Sequence, residues 1–289
     1  MELQPQCIVC LFRLASRAAR VATTDLRLQG QIIDRLADEL PKMPVETIPP
    51  QIGRRIQQIV REVTGEGDPF REAKRRGNEL GLAQFPGLQR RVEQAADPLL
   101  EAVRLAVAGN VIDLATCSGF DLERAIQESL VQKFSIFDYD PFRAAVERAR
   151  RVLYIADNAG EIVFDRLLVE ELLRRGLRVT VAVRGGPVIN DAVLEDARLA
   201  GFDPRVEIID TGSDLPSVVP EESGVTFRER YREADLVISK GQGNFEGLHD
   251  ERRPIAFLLM AKCGPVAGWL GVRQGTLVLR YRGGSDAGP

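Results

Sequence analysis

The chain has 289 residues, which is enough for one large or two ordinary domains. Its composition is 44% hydrophobic and 28% charged, as in a globular protein with a sizeable core. The formal net charge of −3 excludes a broad electrostatic attraction to nucleic acid or to an acidic membrane, and we expect neither as a partner. Four cysteines in a chain of this length do not make a disulfide scaffold.

The first residues lack the basic start and the apolar run of a secretory signal. No apolar stretch approaches the roughly 20 residues that are needed to span a bilayer. We therefore expect a cytoplasmic protein.

The first half of the chain, residues 1–147, is predicted to form a helical domain. Apolar residues recur at helical spacing in 8–22, 52–63 and 99–108. Asp97 and Pro98 provide a cap and a first turn for the last of these helices. Segments rich in glycine and proline at 65–69 and 85–87 are predicted to be loops or turns.

From Arg151 onward, short β-branched or apolar runs alternate with helical segments. The predicted strands are 152–156, 178–183, 206–209, 236–239, 255–260 and 276–279, and the predicted helices are 161–175 and 190–200. This alternation indicates a three-layer α/β/α, Rossmann-like, mostly parallel sheet in a second domain, 148–289. The tail at 283–289 is predicted to be disordered.

Polar residues and glycines follow four of the predicted strands, in segments 157–161, 184–191, 240–244 and 262–264. In open α/β sheets, ligands bind outside the carboxyl ends of the strands. We therefore expect these segments to meet at one edge and to form the active site.

The side chains of Asp157, Asn158 and Asp191 offer hard oxygen ligands of the kind that Mg²⁺ or Mn²⁺ prefers. The alternative for Asp157, and for Asn190 beside Asp191, is helix capping, because Asp and Asn commonly accept backbone N–H bonds at helix starts. Two successive strands that end in this way favour a metal site.

Lys240 and Lys262 are two of only five lysines among 39 Lys and Arg residues. An ammonium group beside a glycine turn is a good phosphate partner, whereas the alternative is a solvated loop lysine. The first turn, around Gly160, has one glycine rather than three, which argues against a nicotinamide cofactor. Asn110 and Asp113 lie at the end of an apolar helix, where they either reach a ligand or end the helix.

Cys7 and Cys10 form a Cys-x-x-Cys motif at the start of a predicted helix. Half of a zinc site, a redox pair or buried thiols all remain open, since no second motif completes four ligands. Cys117 and Cys263 are predicted to be small core residues. His249, the only histidine, lies in a charged stretch and is predicted to be at the surface.

These motifs resemble the metal-dependent damage-control phosphatases, a family related to the protein called acidic-residue methyltransferase, and its archaeal and bacterial branch with an N-terminal Cys-x-x-Cys. The matching segments run through nearly the whole chain in order and are 7–10, 109–113, 157–165, 186–191, 239–246 and 261–263. The most specific are the Asp-Asn-Ala-Gly-Glu block at 157–161 and the Lys-Gly-Gln-Gly-Asn block at 240–244.

The resemblance implies a helical N-terminal domain on a Rossmann-like core, and hydrolysis of sugar phosphates or damaged phosphometabolites with Mg²⁺, Mn²⁺, Co²⁺ or Ni²⁺. Carried onto this sequence, it assigns the metal to Asp157, Asn158 and Asp191, the phosphate to Lys262, the pocket wall to Lys240 and Asn244, and substrate contacts to Glu161, Asn110 and Asp113. Arg184 joins the substrate-binding set, and Asp157, Asp191 and Lys262 are the expected catalytic residues. Gln242 departs from eukaryotic relatives, which have Asp at that position.

Two alternatives remain from the sequence. One is a methyltransferase that uses S-adenosylmethionine to modify carboxyl groups, although the first turn lacks the clustered glycines that pack against that cofactor. The other is a metal- or metabolite-binding protein without turnover. The substrate, the choice of metal and the oligomeric state are not indicated by the sequence.

Overall fold

The computed structural model describes residues 3–44, 46–109, 128 and 131–283. Asn110, Asp113, Cys117 and the predicted disordered tail beyond Gly283 lie outside the described residues. Within the described ranges, every helix is too short or too polar to cross a membrane.

Five helices make up the described chain up to residue 109: α1 (Pro5–Ala22), α2 (Leu26–Glu39), α3 (Pro49–Thr64), α4 (Arg71–Gln94) and α5 (Pro98–Ala108). A 3₁₀ turn, Leu40–Lys42, follows α2. Helix α5 starts as predicted, because the Asp97 carboxylate accepts the Leu100 backbone N–H at 3.1 Å. Helix α3 ends at Gly65, whose φ of 73° lies in the left-handed region that glycine adopts without strain.

The turn predicted at residues 85–87 is wrong, since Pro86 lies inside the 24-residue helix α4. Phe85, Leu88 and Val92 are buried on one face of this helix and belong to the main core. Proline removes one helical hydrogen bond, and the packing of this apolar face offsets that loss.

Seven strands form one sheet: β1 (Phe134–Phe137), β2 (Arg151–Ile155), β3 (Arg178–Val183), β4 (Glu207–Asp210), β5 (Leu236–Lys240), β6 (Ile255–Met260) and β7 (Leu277–Arg282). Their order is β1-β7-β6-β5-β2-β3-β4. All neighbours are parallel except β6 and β7. The six predicted strands are present, and β1 is a strand where the sequence predicted only helices.

The sheet is flanked by α6 (Tyr139–Arg148), α7 (Glu161–Arg174), α8 (Leu194–Ala200), α9 (Val225–Glu233), α10 (Gly241–Leu248) and α11 (Gly264–Leu270), with a 3₁₀ turn at Pro220–Glu222. Helix α7 agrees with its prediction, but α8 begins four residues later than predicted. The glycine segments after β5 and β6 continue into α10 and α11 rather than forming turns alone.

Buried side chains form three clusters that define the layers. One lies on the sheet face covered by α4, α5, α6 and α7, and a second lies on the face covered by α9, α10 and α11. The third joins α1, α2 and α3. Helices on both faces of a mostly parallel sheet confirm the predicted three-layer class. The division into domains at residues 147 and 148 stays a prediction.

Candidate active site

The predicted site residues meet at the carboxyl edge of the sheet because β6, β5, β2 and β3 are consecutive parallel neighbours. The edge brings together Asp157, Asn158, Glu161, Arg184, Asp191, Lys240 and Asn244, all of which are buried. Lys262 stands after β6 at the same edge and is exposed.

Two acidic side chains and one guanidinium form the centre of the site. Arg184 is only 1% exposed, and its Nε donates to Asp191 Oδ2 at 2.6 Å. Its Nη2 lies 3.5 Å from Asp157 Oδ1. Burial raises the pKa of the Asp157 carboxyl well above its ordinary value, and the charge of Asp191 raises it further, while Lys262 and Arg184 oppose the shift. Burial and mutual repulsion therefore destabilise two ionised carboxylates at this place.

Backbone bonds join the loop after β2 to the loop after β3. Ala192 N–H donates to the Asp157 carbonyl at 2.8 Å, and Ala159 N–H donates to the Asn190 carbonyl at 2.9 Å. Helices α7 and α8 instead have Gly160 and Val193 as their N-caps. The capping alternative for Asp157 and Asn190 is therefore wrong, and the fold leaves both side chains in the site.

The Asn158 amide lies between the two loops. Its Nδ2 donates to Asp157 Oδ2 and to Glu161 Oε2, both at 2.8 Å, and its Oδ1 accepts from Asn190 Nδ2 at 2.9 Å. In this arrangement the amide nitrogen, not the oxygen, faces Asp157. Ligation of a cation by the Asn158 oxygen requires rotation of this amide group.

The hard-oxygen set fits a divalent cation by its chemistry. Two buried carboxylates and one amide supply oxygen donors, and an added positive charge would offset the repulsion between Asp157 and Asp191. Within the described part of the chain, no three His, Cys, Asp or Glu side chains are already grouped to hold a metal. Water and substrate would have to supply the other ligands.

Lys240, predicted to line the pocket, is fully buried beneath the site. Its ammonium donates to the Ala106 carbonyl at 2.8 Å, to Glu161 Oε1 at 2.7 Å and to Asp165 Oδ1. Burial opposes the charged form of Lys240, but Asp165 and Glu161 outweigh burial and raise its pKa. With three donors and three acceptors, the ammonium has no donor left for a phosphate.

Arg184 and Asn244 are also occupied by protein partners. Arg184 Nη1 donates to Asn244 Oδ1 at 2.8 Å and to the Ser217 carbonyl at 3.0 Å. Asn244 Nδ2 donates to the carbonyls of Ala156 and Lys240, at 3.1 and 2.8 Å. These two side chains hold the strand ends together, and one nitrogen of Arg184, Nη2, has no hydrogen-bond partner.

Lys262 is the predicted cation that the structure leaves exposed at the edge. Its backbone N–H donates to Gln242 Oε1 at 2.8 Å. Its charge lowers the pKa of Asp157, which places the ammonium within electrostatic reach of the paired carboxylates. This arrangement suits the predicted phosphate contact.

The three described cysteines, Cys7, Cys10 and Cys263, line a cavity of about 120 Å³ together with the buried Glu246. All three are free thiols. Cys10 is exposed, which removes the buried-thiol alternative for it, whereas Cys263 is half-buried and packs against the core cluster on the face of α9, α10 and α11. The role of the Cys-x-x-Cys pair stays open.

The prediction that His249 lies at the surface is wrong. Its ring is buried, with centroids 5.8 Å from Phe245 and 5.0 Å from Trp269. Burial lowers the pKa of His249. Phe245, one helical turn before His249, and Trp269 on α11 cover the ring in spite of the charged residues that follow it in the sequence.

The sequence analysis did not identify two side chains next to the site, Asp165 and Asn78. Asp165 accepts from Lys240 and from the Tyr154 hydroxyl, the latter at 2.7 Å. Asp165 stands four residues after Glu161 on α7, a spacing that places both on one helix face. Asn78 reaches the site from α4, and nothing in its local sequence indicates this.

The profile of the "Damage-control phosphatase ARMT1-like domain" family matches residues 3–278. A damage-control phosphatase of Archaeoglobus fulgidus is 35% identical over 97% of this chain and 99% of its own length. A second, from Pyrococcus horikoshii, is 35% identical over 96% of this chain and 97% of its own.

A solved structure shares the fold. The crystal structure of a DUF89 family protein from Pyrococcus horikoshii superimposes with a TM-score of 0.90 at 33% identity. The similarity covers 97% of this chain and 99% of that protein.

Proposed function

Because the chain belongs to the damage-control phosphatase ARMT1-like domain family, we propose that it is a metal-dependent phosphatase that hydrolyses sugar phosphates or damaged phosphometabolites. The substrate class is a small phosphorylated metabolite, and the compartment is the cytoplasm. The observation that carries the proposal is the buried pair Asp157 and Asp191 beside the exposed Lys262.

The cation would be held by Asp157, Asp191 and, after rotation of its amide, Asn158. Mn²⁺, Ni²⁺, Co²⁺ and Mg²⁺ all accept such oxygen donors. A bound cation would supply Lewis-acid stabilisation of a phosphoryl oxygen and an acidified water.

The residues of the chain then have distinct tasks. Lys262 places a positive charge where the phosphoryl group enters and stabilises the charge that develops on its oxygens. Arg184 orients Asp191 through the 2.6 Å hydrogen bond that its Nε donates to Asp191 Oδ2. Lys240 holds Glu161 from below, so that Glu161 Oε2 fixes Asn158 beside Asp157.

The test is phosphate release by chelator-treated protein from a panel of sugar phosphates and an aryl phosphate, with each divalent ion added back in turn. We expect release only with added metal, and loss of at least 100-fold in Asp157→Ala and Asp191→Ala, in line with removal of a key electrostatic group. Asp140→Ala removes an exposed carboxylate at the start of α6 and is the matched control. No release with any ion, or full activity in Asp191→Ala, would overturn the proposal.

A further inference from the structure

Helix α4 supplies one buried side chain to the carboxyl edge of the sheet. Asn78 is only 1% exposed. Its Oδ1 accepts the Gly160 backbone N–H at 2.7 Å, and its Nδ2 donates to Asp196 Oδ1 at 2.7 Å. We propose that Asn78 is a positioning residue that sets the loop of Asp157 against the loop of Asp191. The inference rests on the proposed function.

The first contact fixes the turn between β2 and α7. Gly160 has φ 78° and ψ −51°, a conformation that L side chains rarely adopt, and it is the N-cap of α7. The turn separates Asn158 from Glu161. By accepting the Gly160 N–H, Asn78 pins this turn in the orientation in which both side chains face the site.

The second contact fixes the start of α8. Asp196 Oδ2 accepts the Val193 N–H at 2.9 Å, and Val193 follows Asp191 by two residues. Ala192 N–H in turn donates to the Asp157 carbonyl at 2.8 Å. Asn78 therefore closes a ring of hydrogen bonds that runs through both acidic loops.

The two partners of Asn78 require a side chain that has both a hydrogen-bond donor and an acceptor. One partner is a carboxylate that needs a donor, and the other is an N–H that needs an acceptor, so only one amide orientation satisfies both. Lys74 Nζ lies 3.7 Å from Asp196 Oδ2 and 2.7 Å from Asp68 Oδ2, and all three side chains are buried. An aspartate at position 78 would oppose Asp196 with a second negative charge.

The N-terminal helices also contact the loop after β3 at two other residues, Pro187 and Ile189. Ile189 has φ 47°, strained for a β-branched residue, and packs against the core of α1, α2 and α3. Arg61 donates to the Pro187 carbonyl at 2.5 Å. Among the described side chains of α4, Asn78 bonds both to the backbone of the loop after β2, at Gly160, and to α8, at Asp196.

The experiment compares Asn78→Ala and Asn78→Asp with Gln51→Ala. Gln51 Nε2 donates to Glu222 Oε1 at 2.6 Å, so this control also removes a bond between the two halves but touches neither acidic loop. Hydrogen exchange followed by mass spectrometry reports on residues 157–163 and 190–197, and steady-state kinetics report kcat and KM.

We expect both Asn78 variants to exchange faster in these two segments while exchange in β5 stays slow. We expect kcat to fall about 10–100-fold and the metal concentration for half-activation to rise about 10-fold, the scale of losing a supporting contact. KM should change little, and Gln51→Ala should match wild type in exchange, kcat, KM and metal dependence.

Wild-type exchange of both segments in folded Asn78→Ala would overturn the inference, and so would equal loss in Gln51→Ala. If Asn78→Ala does not fold, Asn78→Ser replaces it and the same criteria apply. If the wild type releases no phosphate, the proposed function fails, but the exchange data still decide whether Asn78 holds the two loops.

Discussion

A Cβ atom built on Gly241 would lie 1.9 Å from Asp157 Oδ2. The glycine begins α10 directly after β5, and its φ is 76°. The Asp157 carboxylate therefore occupies the space that any side chain at 241 would need. Close approach and positive φ both require glycine at this position.

Gly241→Ala is expected to displace the Asp157 carboxylate and to lower phosphatase activity at least 100-fold. Because alanine is strained at a positive φ, we also expect the free energy of unfolding to fall by about 1–2 kcal/mol. Activity assays and urea denaturation measure the two effects separately.

Gly271→Ala is the matched control, since Gly271 has φ 67° with nothing within 4 Å of its Cβ position. It should show the stability cost alone, with wild-type activity. Equal activity of the two variants would show that Asp157 does not need this space.

Removing the charge of Lys240 should mainly lower stability, whereas removing the charge of Lys262 should mainly lower activity. Lys240→Met leaves Glu161 and Asp165 buried without their cation, and we expect a loss of about 3–5 kcal/mol in the free energy of unfolding. Lys262→Met removes an exposed ammonium, so stability should change by less than about 0.5 kcal/mol. Its activity should nevertheless fall about 10²–10³-fold.

Urea denaturation and phosphate release on the same preparations measure this contrast. A stable Lys240→Met protein would show that the buried carboxyls are neutral in the native state. An active Lys262→Met protein would remove this lysine from the mechanism.

Asp157→Asn should lower phosphatase activity and raise the stability of the metal-free protein. In chelator-treated protein it removes a buried carboxylate that faces Asp191, while the bond from Arg184 to Asp191 remains. We expect the metal-free variant to be about 1 kcal/mol more stable than wild type. With saturating metal the order should reverse, because ligand binding stabilises only the wild type strongly.

Thermal denaturation with chelator and with each ion measures this reversal. A metal-free Asp157→Asn protein that melts below wild type would mean that Arg184 balances the pair fully.

His249 should make stability depend on pH. Its pKa in the native protein is lowered below 6.5 by burial, with Arg282 adding to the shift and Asp250 opposing it. The stability that this residue contributes is therefore complete above pH 6.5 and is lost as the pH falls through the lower native pKa.

Urea denaturation at pH 7.5, 6.0 and 5.0 should show a smaller loss of stability in His249→Gln than in wild type. His249 is the only histidine of the chain, so the difference between the two proteins isolates this group. Parallel pH curves would place the native pKa at its ordinary value.

The sequence alone determined the architecture and the edge that carries the site. Helical spacing and short apolar runs are local patterns, and parallel strands separated by helices present their carboxyl ends together. Asp157, Asn158 and Asp191 were therefore predictable as neighbours. Pro86 misled the reading because packing of the helix face against the core outweighs a local break.

Only the tertiary structure decided what each charged residue does. Lys240 ends β5 and Lys262 follows the neighbouring β6, yet Lys240 is buried against residues 106, 161 and 165 whereas Lys262 is exposed. The same holds for Arg184, which balances the two acidic loops, and for Asn78, which reaches them from a distant helix. The task of a charge depends on its burial and its partners, and these come from segments far apart in the chain.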